Sequence, residues 1–86
     1  MRLSIPEYIQ IREIDGQWVL LDCRQNRFYA VNKTGAEFLE QVKVHGEMAK
    51  AIGTMSKVYQ IPYEKVEQDM QLFIHRLIEK ELVMNR

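Results

Sequence analysis

The sequence is poor in cysteine and has no excess of charge of either sign. It has 86 residues, a single cysteine, Cys23, and twelve basic residues that balance twelve acidic ones. One cysteine cannot form an internal disulfide, and the N-terminal residues lack the apolar core of a signal peptide, so we expect a cytoplasmic protein. A zero net charge argues against a domain that depends on phosphate contacts, and nucleic acid is not an expected partner.

Long apolar runs and catalytic signatures are also missing. The longest apolar run, Trp18 to Leu21, is far shorter than the roughly 18 residues of a membrane span, so no membrane partner is expected. Cys23, His45 and His75 have no metal-ligand spacing, and no glycine-rich phosphate loop is present. The sequence therefore predicts neither an enzyme nor a cofactor or metal site, and it favours Cys23 as a small buried side chain.

The first third of the chain has the pattern of short β-strands. The stretches concerned are residues 7–14, 17–22 and 27–31. In the first of them Ile9 and Ile11 are two residues apart and share one face. A repeat of two residues is the period of a half-buried strand. Asp15-Gly16 predicts a two-residue hairpin, because glycine tolerates the positive φ of a type I′ turn. These signals predict a three-stranded antiparallel meander.

The rest of the chain has the apolar spacing of helices. Three are predicted, at about residues 34–44, 47–59 and 62–80. Thr34 and Glu37 fit a capping box at the first helix start, with Asn32 as the competing cap, and Gly46 suits the end of that helix. The order predicts a single α+β domain over residues 1–86, with helices on one side of a small sheet. Three helices with a small β element are also the composition of a winged helix.

The strand at residues 27–31 is the first candidate for function. As the last strand of a meander it has an outer edge without a partner strand, and Phe28 to Val31 is apolar and lacks the proline or lysine that usually blunts such edges. The alternative is a strand covered by the chain's own helices.

The helix at residues 62–80 has a mixed flank beside its apolar stripe. The stripe is centred on Val66, Met70 and Leu77, and Leu72 lies outside it among charged residues. This flank is either an ordinary surface with an i,i+4 ion pair or the rim of a groove that accepts an extended peptide as an extra strand. The predicted peptide-binding residues are Arg27, Phe28, Tyr29, Ala30, Val31, Lys65, Asp69, Leu72, Phe73 and Arg76.

The run Tyr-x-aliphatic-Asn-x-Thr-Gly-Ala from Tyr29 to Ala36, with Tyr59 to Pro62 and the closing Leu82-Val83 pair, resembles the PqqD-like family. These proteins are recognition elements for ribosomally made, post-translationally modified peptides. The resemblance implies a winged-helix-like domain that holds the leader segment of a precursor peptide against strand 27–31 and helix 62–80. It also implies delivery to a separate modifying enzyme. The family often has glycine where this chain has Glu81.

A free-standing domain of this length is similar to the leader-binding partner in lasso-peptide maturation, which works with a cysteine protease that removes the leader. Two other interpretations stay open. A winged-helix DNA-binding protein would need a basic recognition helix, and helix 47–59 offers only Lys50 and Lys57 against Glu47. A subunit-interaction module that binds no leader is the third possibility.

Overall fold

The structure is a computed structural model that describes all residues from Met1 to Arg86. Five strands and three helices follow one another along the chain. They are β1 (Leu3–Ser4), β2 (Ile9–Ile14), β3 (Gln17–Asp22), β4 (Arg27–Val31), α1 (Lys33–His45), α2 (Met48–Tyr59), α3 (Tyr63–Glu79) and β5 (Met84–Asn85). The predicted α+β class, with a three-stranded antiparallel meander followed by three helices, is confirmed.

The meander has the order β2-β3-β4, with both pairs antiparallel. Asp15 and Gly16 have φ values of 51° and 80°, which is the conformation that the predicted hairpin turn requires. β2 begins at Ile9 instead of residue 7, because a turn precedes it in which the Ile9 amide donates to the carbonyl of Pro6 at 3.0 Å.

The helices begin or end within one residue of the predicted bounds, but the cap of α1 differs. Asn32, not Thr34, is the cap: its side chain accepts a hydrogen bond from the amide of Gly35 at 2.7 Å. α1 therefore begins at Lys33, and the Glu37 carboxylate is free to accept a hydrogen bond from the hydroxyl of Tyr59. Gly46, at φ 67°, ends the helix as expected.

The core lies between one face of the sheet and the three helices. Side chains of Leu20, Phe38, Ile52 and Ile74 are almost completely buried there. Ile9 and Ile11 face this core, as their alternation predicted. Met70, placed at the centre of the α3 stripe by sequence, is only half-buried, because it lies beside an open cleft.

Three features of the structure were not expected. β1 pairs with β5, so that Leu3 lies opposite Asn85, and Leu3 is fully buried. Asp22 is buried and accepts hydrogen bonds from the amides of Arg24 and Gln25. Cys23 is exposed, and the expectation of a buried thiol was wrong, because the residue lies in the turn that follows β3.

Glu81 follows α3 with φ 61°, a conformation in which glycine has no steric penalty. Its carbonyl accepts a hydrogen bond from the hydroxyl of Tyr8, and its carboxylate pairs with Arg24 at 3.2 Å. These contacts hold the residue in the left-handed conformation. None of the helices combines the length and the hydropathy needed to cross a membrane.

Candidate peptide-binding groove

The free edge of β4 presents the backbone groups of two residues. Ile14 and Gln17 close a two-residue turn, so they form a hydrogen-bonded pair, and such pairs then alternate along the antiparallel ladder. By this alternation Leu20 directs its amide and carbonyl toward Tyr29 of β4. The amides and carbonyls of Phe28 and Ala30 point the other way. No other part of the chain hydrogen-bonds to them.

A cleft runs between this edge and α3. Its volume is about 520 Å³, and it is open to solvent. It is lined by residues of β4, the start of α1 and the middle of α3, which are Ala30, Val31, Asn32, Thr34, Gly35, Asp69, Met70 and Phe73. The unpaired edge and the cleft are therefore parts of one surface, which we call the β4–α3 groove.

Four of the ten residues predicted from sequence line this cleft directly: Ala30, Val31, Asp69 and Phe73. The other six surround it or lie on another surface. Leu72 is 67% exposed on α3, as expected of a residue outside the core stripe, but it does not line the cleft. Lys65 and Arg76 are exposed neighbours of Asp69 and Phe73 on the same helix, and Lys65 pairs with Asp69 at 3.6 Å.

The remaining three predicted residues are in the first half of β4. Tyr29 faces the core with Val31, and the ammonium of Lys80 lies 5.6 Å from the centre of its ring. Because side chains alternate along a strand, Phe28 projects from the outer face of the sheet, opposite Leu21, and is 72% exposed. Arg27 is exposed at the first position of the strand. Phe28 therefore contributes its backbone amide and carbonyl to the groove, whereas its ring lies on the outer face of the sheet.

The sequence analysis missed four cleft residues, namely Asn32, Thr34, Gly35 and Met70. The sequence analysis interprets Thr34 and Gly35 as a helix start and as part of the run that resembles the family, but not as groove residues. A Cβ atom on Gly35 would lie 3.0 Å from the ring of Phe73 and 3.1 Å from the Asn32 side-chain oxygen. The absence of a side chain at residue 35 thus lets α1 begin directly against α3. In the sequence, the glycine that follows the predicted cap Thr34 was the signal that could have indicated this close contact between the helices.

Charges of both signs lie near both ends of the groove. Val31 shares the cleft with Asp69, whereas Tyr29 lies near Lys80, so β4 and α3 run in opposite directions. The start of β4 therefore lies toward the end of α3, where Arg76 and Lys80 accompany Glu79. Asp69 is the one charged residue that lines the cleft, and its carboxylate is paired with Lys65 at 3.6 Å.

The opposite edge of the meander is a weaker candidate. β2 also has one unpaired side, next to a shallow depression of about 370 Å³. Three of its four exposed residues, Gln10, Arg12 and Glu13, are polar or charged, the fourth is Ile14 beside the turn, and Pro6 lies three residues before the strand. Charges and proline are devices that prevent edge pairing. The apolar edge is that of β4.

Residues suited to metal binding do not cluster anywhere in the chain. Only two ionisable groups have clearly shifted pKa values, and one of them is Tyr59. Its hydrogen bond to the Glu37 carboxylate raises the pKa of the phenol, with burial and the negative charge of Glu37 acting in the same direction. Neither Tyr59 nor the other shifted group, Arg24, lines the β4–α3 groove.

Comparison with known proteins gave one family and two solved structures. The family model described as coenzyme PQQ synthesis protein D (PqqD) matches residues 17–83. A lasso peptide synthetase B1 complexed with the leader peptide has a TM-score of 0.81 and 19% identity, covering 99% of this chain and 100% of that chain. TbiB1 in complex with the TbiA(beta) leader peptide has a TM-score of 0.77 and 20% identity, covering 96% of both chains. No curated protein sequence matches significantly.

Proposed function

The chain belongs to the PqqD family, and we propose that it is a non-catalytic adaptor that binds the leader segment of a ribosomally made precursor peptide. The leader adds as a further strand to β4, beside α3. The observation that carries this proposal is the position of the unpaired amides and carbonyls of Phe28 and Ala30 next to an open cleft. An extended peptide would satisfy these groups and place alternate side chains toward α3.

The fold comparison supports this function, because both similar structures hold a leader peptide. The adaptor then presents the bound precursor to a leader peptidase or another modifying enzyme in the cytoplasm. Lasso-peptide maturation is the pathway that the similarity to lasso peptide synthetase B1 favours. The candidate site residues remain those of β4 and α3, joined by Asn32, Thr34, Gly35 and Met70.

Duplex DNA binding is the less favoured function. In a winged-helix reader, a basic helix enters the major groove. Here α2 carries Lys50 and Lys57, and the chain as a whole has no net charge. A binding energy that depends on counterion release needs several phosphate contacts on one surface. Neither α2 nor α3 offers such a row of cations.

We expect purified protein to bind a leader peptide without any enzyme present. The probes are fluorescent N-terminal segments of any short precursor peptide that is found encoded beside the gene, titrated by fluorescence anisotropy. A peptide that adds to β4 and contacts α3 should saturate in the micromolar range or tighter, which corresponds to a binding free energy of about −8 kcal/mol. A scrambled segment of the same composition is the control. Equal affinity for both peptides would contradict the proposal.

Substitutions on the exposed side of α3 should weaken binding and leave stability unchanged. Asp69→Ala, Leu72→Ala and Arg76→Ala each remove a side chain that is exposed, and such changes usually alter the free energy of unfolding by no more than about 0.5 kcal/mol. Titration of each variant with the leader, together with urea unfolding, separates the two effects. If all three variants bind as the parent does, α3 is not a wall of the site.

A further inference from the structure

A second pocket lies at the end of α1 that is remote from the groove. It has a volume of about 500 Å³ and is open to solvent, and none of the residues in its wall is apolar. The wall is formed by Arg2, His45, Gly46, Glu47, Lys50 and Arg86. These residues come from the start of the chain, from the junction between α1 and α2, and from the position that follows β5. We call it the basic pocket.

Backbone hydrogen bonds bring the three segments of the basic pocket together. Arg2 forms a β-bridge with Glu47, and the Arg86 amide donates to the carbonyl of Arg2 at 2.9 Å. The Leu3 amide donates to the carbonyl of Gly46 at 3.1 Å. The main chain that carries the cations is therefore fixed by the fold, although their side chains are exposed.

The cations of the basic pocket have no acidic partner. The ion pairs of the domain lie elsewhere, and Arg2, Lys50 and Arg86 belong to none of them. Glu47 is the one acidic side chain in the wall, and its carboxylate is not within ion-pair distance of any of the three. Like charges gathered around one pocket repel one another in the free domain. An anionic group that enters the pocket relieves this repulsion.

The basic pocket is far enough from the β4–α3 groove for two partners to bind together. Thr34 lines the groove near the start of α1, whereas His45 lines the basic pocket at the end of that helix. At about 1.5 Å per residue, the two positions are about 16 Å apart along the helix axis. No residue lines both surfaces. A peptide in the groove therefore leaves the basic pocket accessible.

The chemistry of the wall favours an acidic protein segment as the occupant. Nucleic acid presents its phosphates in a continuous row and needs several cations in line, whereas the cations here share their wall with Glu47. An acidic segment carries its carboxylates on flexible side chains, so that each can approach one cation and avoid Glu47. The wall offers no apolar anchor. Complementary charge of this kind speeds association and fixes orientation.

We propose that the basic pocket docks an acidic segment on the surface of the enzyme that modifies the precursor peptide. This inference rests on the proposed function, because an adaptor must hold its enzyme while the leader fills its groove. The leader is bound by backbone hydrogen bonds on one side of the domain, and the enzyme by charge at the far end of α1. The contact orients the enzyme relative to the precursor that leaves the groove.

The test uses hexaglutamate as the probe and the intact, isotope-labelled domain in solution NMR at low salt. Hexaglutamate should shift the amide signals of Gly46, Glu47 and Lys50, with a dissociation constant in the millimolar range, because exposed ion pairs are individually weak. High salt should abolish the shifts. Hexaglutamine, which has the same backbone and no charge, should cause none. Saturating the groove with leader should change the affinity for hexaglutamate by less than about twofold, because the two sites are far apart.

Two charge reversals on α2 form a matched pair. Lys50→Glu should weaken hexaglutamate binding about fivefold or more, since it removes one attraction and adds one repulsion. The new carboxylate lies in the first turn of α2, where the helix dipole favours negative charge, so the variant should stay folded. Lys57→Glu makes the same exchange in the last turn of α2, outside the basic pocket, and should bind hexaglutamate as the parent domain does.

A second measurement uses the modifying enzyme of the pathway, with the domain titrated into a mixture of enzyme and precursor. Lys50→Glu should raise the concentration of domain that gives the half-maximal rate of modification about fivefold, because the docking contact is weakened. Its affinity for the leader should equal that of the parent domain. Lys57→Glu should change neither quantity.

The outcomes separate this inference from the proposed function. If hexaglutamate shifts no amide of the basic pocket, or binds the parent domain and Lys50→Glu equally, the docking assignment is wrong and the proposed function stands. The same holds if the half-maximal concentration in the enzyme assay is unchanged by Lys50→Glu. Pyrophosphate that binds at the same amides more tightly than hexaglutamate would replace the acidic segment by a phosphate ligand. A parent domain that binds no leader would overturn the proposed function, and the docking of its enzyme with it.

Discussion

Ala30→Pro is expected to weaken leader binding by about tenfold to a hundredfold while the domain stays folded. The Ala30 amide points away from β3, so proline removes no bond of the meander, and proline is tolerated on an edge strand with its nitrogen facing solvent. A bound strand would lose one backbone hydrogen bond and leave its carbonyl unpaired, at a cost of about 1–3 kcal/mol. Isothermal titration calorimetry measures the affinity for the leader, and circular dichroism measures whether the variant stays folded.

The other edge of the sheet offers a matched control. Glu13 of β2 is exposed, and by the same alternation its amide also points away from β3. Glu13→Pro therefore makes an equivalent change on the edge that we do not assign to the peptide. This variant should bind the leader with the affinity of the parent protein. Leader peptides that are N-methylated at one backbone nitrogen each give the complementary result. Methylation at every second position of the bound segment should weaken binding, because those amides donate to β4. A folded Ala30→Pro variant with parental affinity would exclude strand addition to β4.

Leu77→Ala should destabilise the domain by about 2–5 kcal/mol, the range for a leucine removed from a packed core. Leu77 is 5% exposed and belongs to the main cluster beneath the sheet. A domain of this size has a total stability of about 5–15 kcal/mol, so the variant would lose a large fraction of it. Urea unfolding followed by circular dichroism gives the difference directly.

Leu72→Ala serves as its control, since Leu72 is on the same helix but 67% exposed. It should unfold at nearly the parental urea concentration. The pair distinguishes the role of each leucine: one holds α3 against the core, and the other is available to a partner. A loss below about 0.5 kcal/mol for Leu77→Ala would mean that the core collapses around the missing side chain or that α3 is packed differently.

Local signals in the sequence were enough to predict the meander and the three helices. The turn at Asp15 and Gly16 depends on the φ preferences of two residues, and the helix end at Gly46 depends on one. The apolar spacing within each helix needs no knowledge of distant parts of the chain. These features are set by interactions a few residues apart, which is the range over which a sequence pattern is informative.

The features that were missed depend on distant contacts. β1 and β5 have two residues each, too few to show any period, and they exist because the two chain ends meet. Asn32 and Thr34 were both candidate caps of α1, and local spacing does not distinguish them; Asn32 is the cap in the structure. For the groove, helical spacing gave the angular position of Asp69 and Phe73 on α3. It could not show that Lys65, Leu72 and Arg76 lie beyond the cleft, because the tilt of α3 against β4 is set by the whole core.

The pairing of β1 with β5 makes this domain suitable for grafting into other proteins. Leu3 and Asn85 are neighbours across a strand pair, so an inserted copy would enter and leave its host at nearly one point. Domains with adjacent ends are the ones that tolerate insertion into loops and circular permutation. No residue of β1 or β5 lines the β4–α3 groove. A biosensor could therefore carry the domain between two fluorescent proteins, with its peptide-reading surface unobstructed.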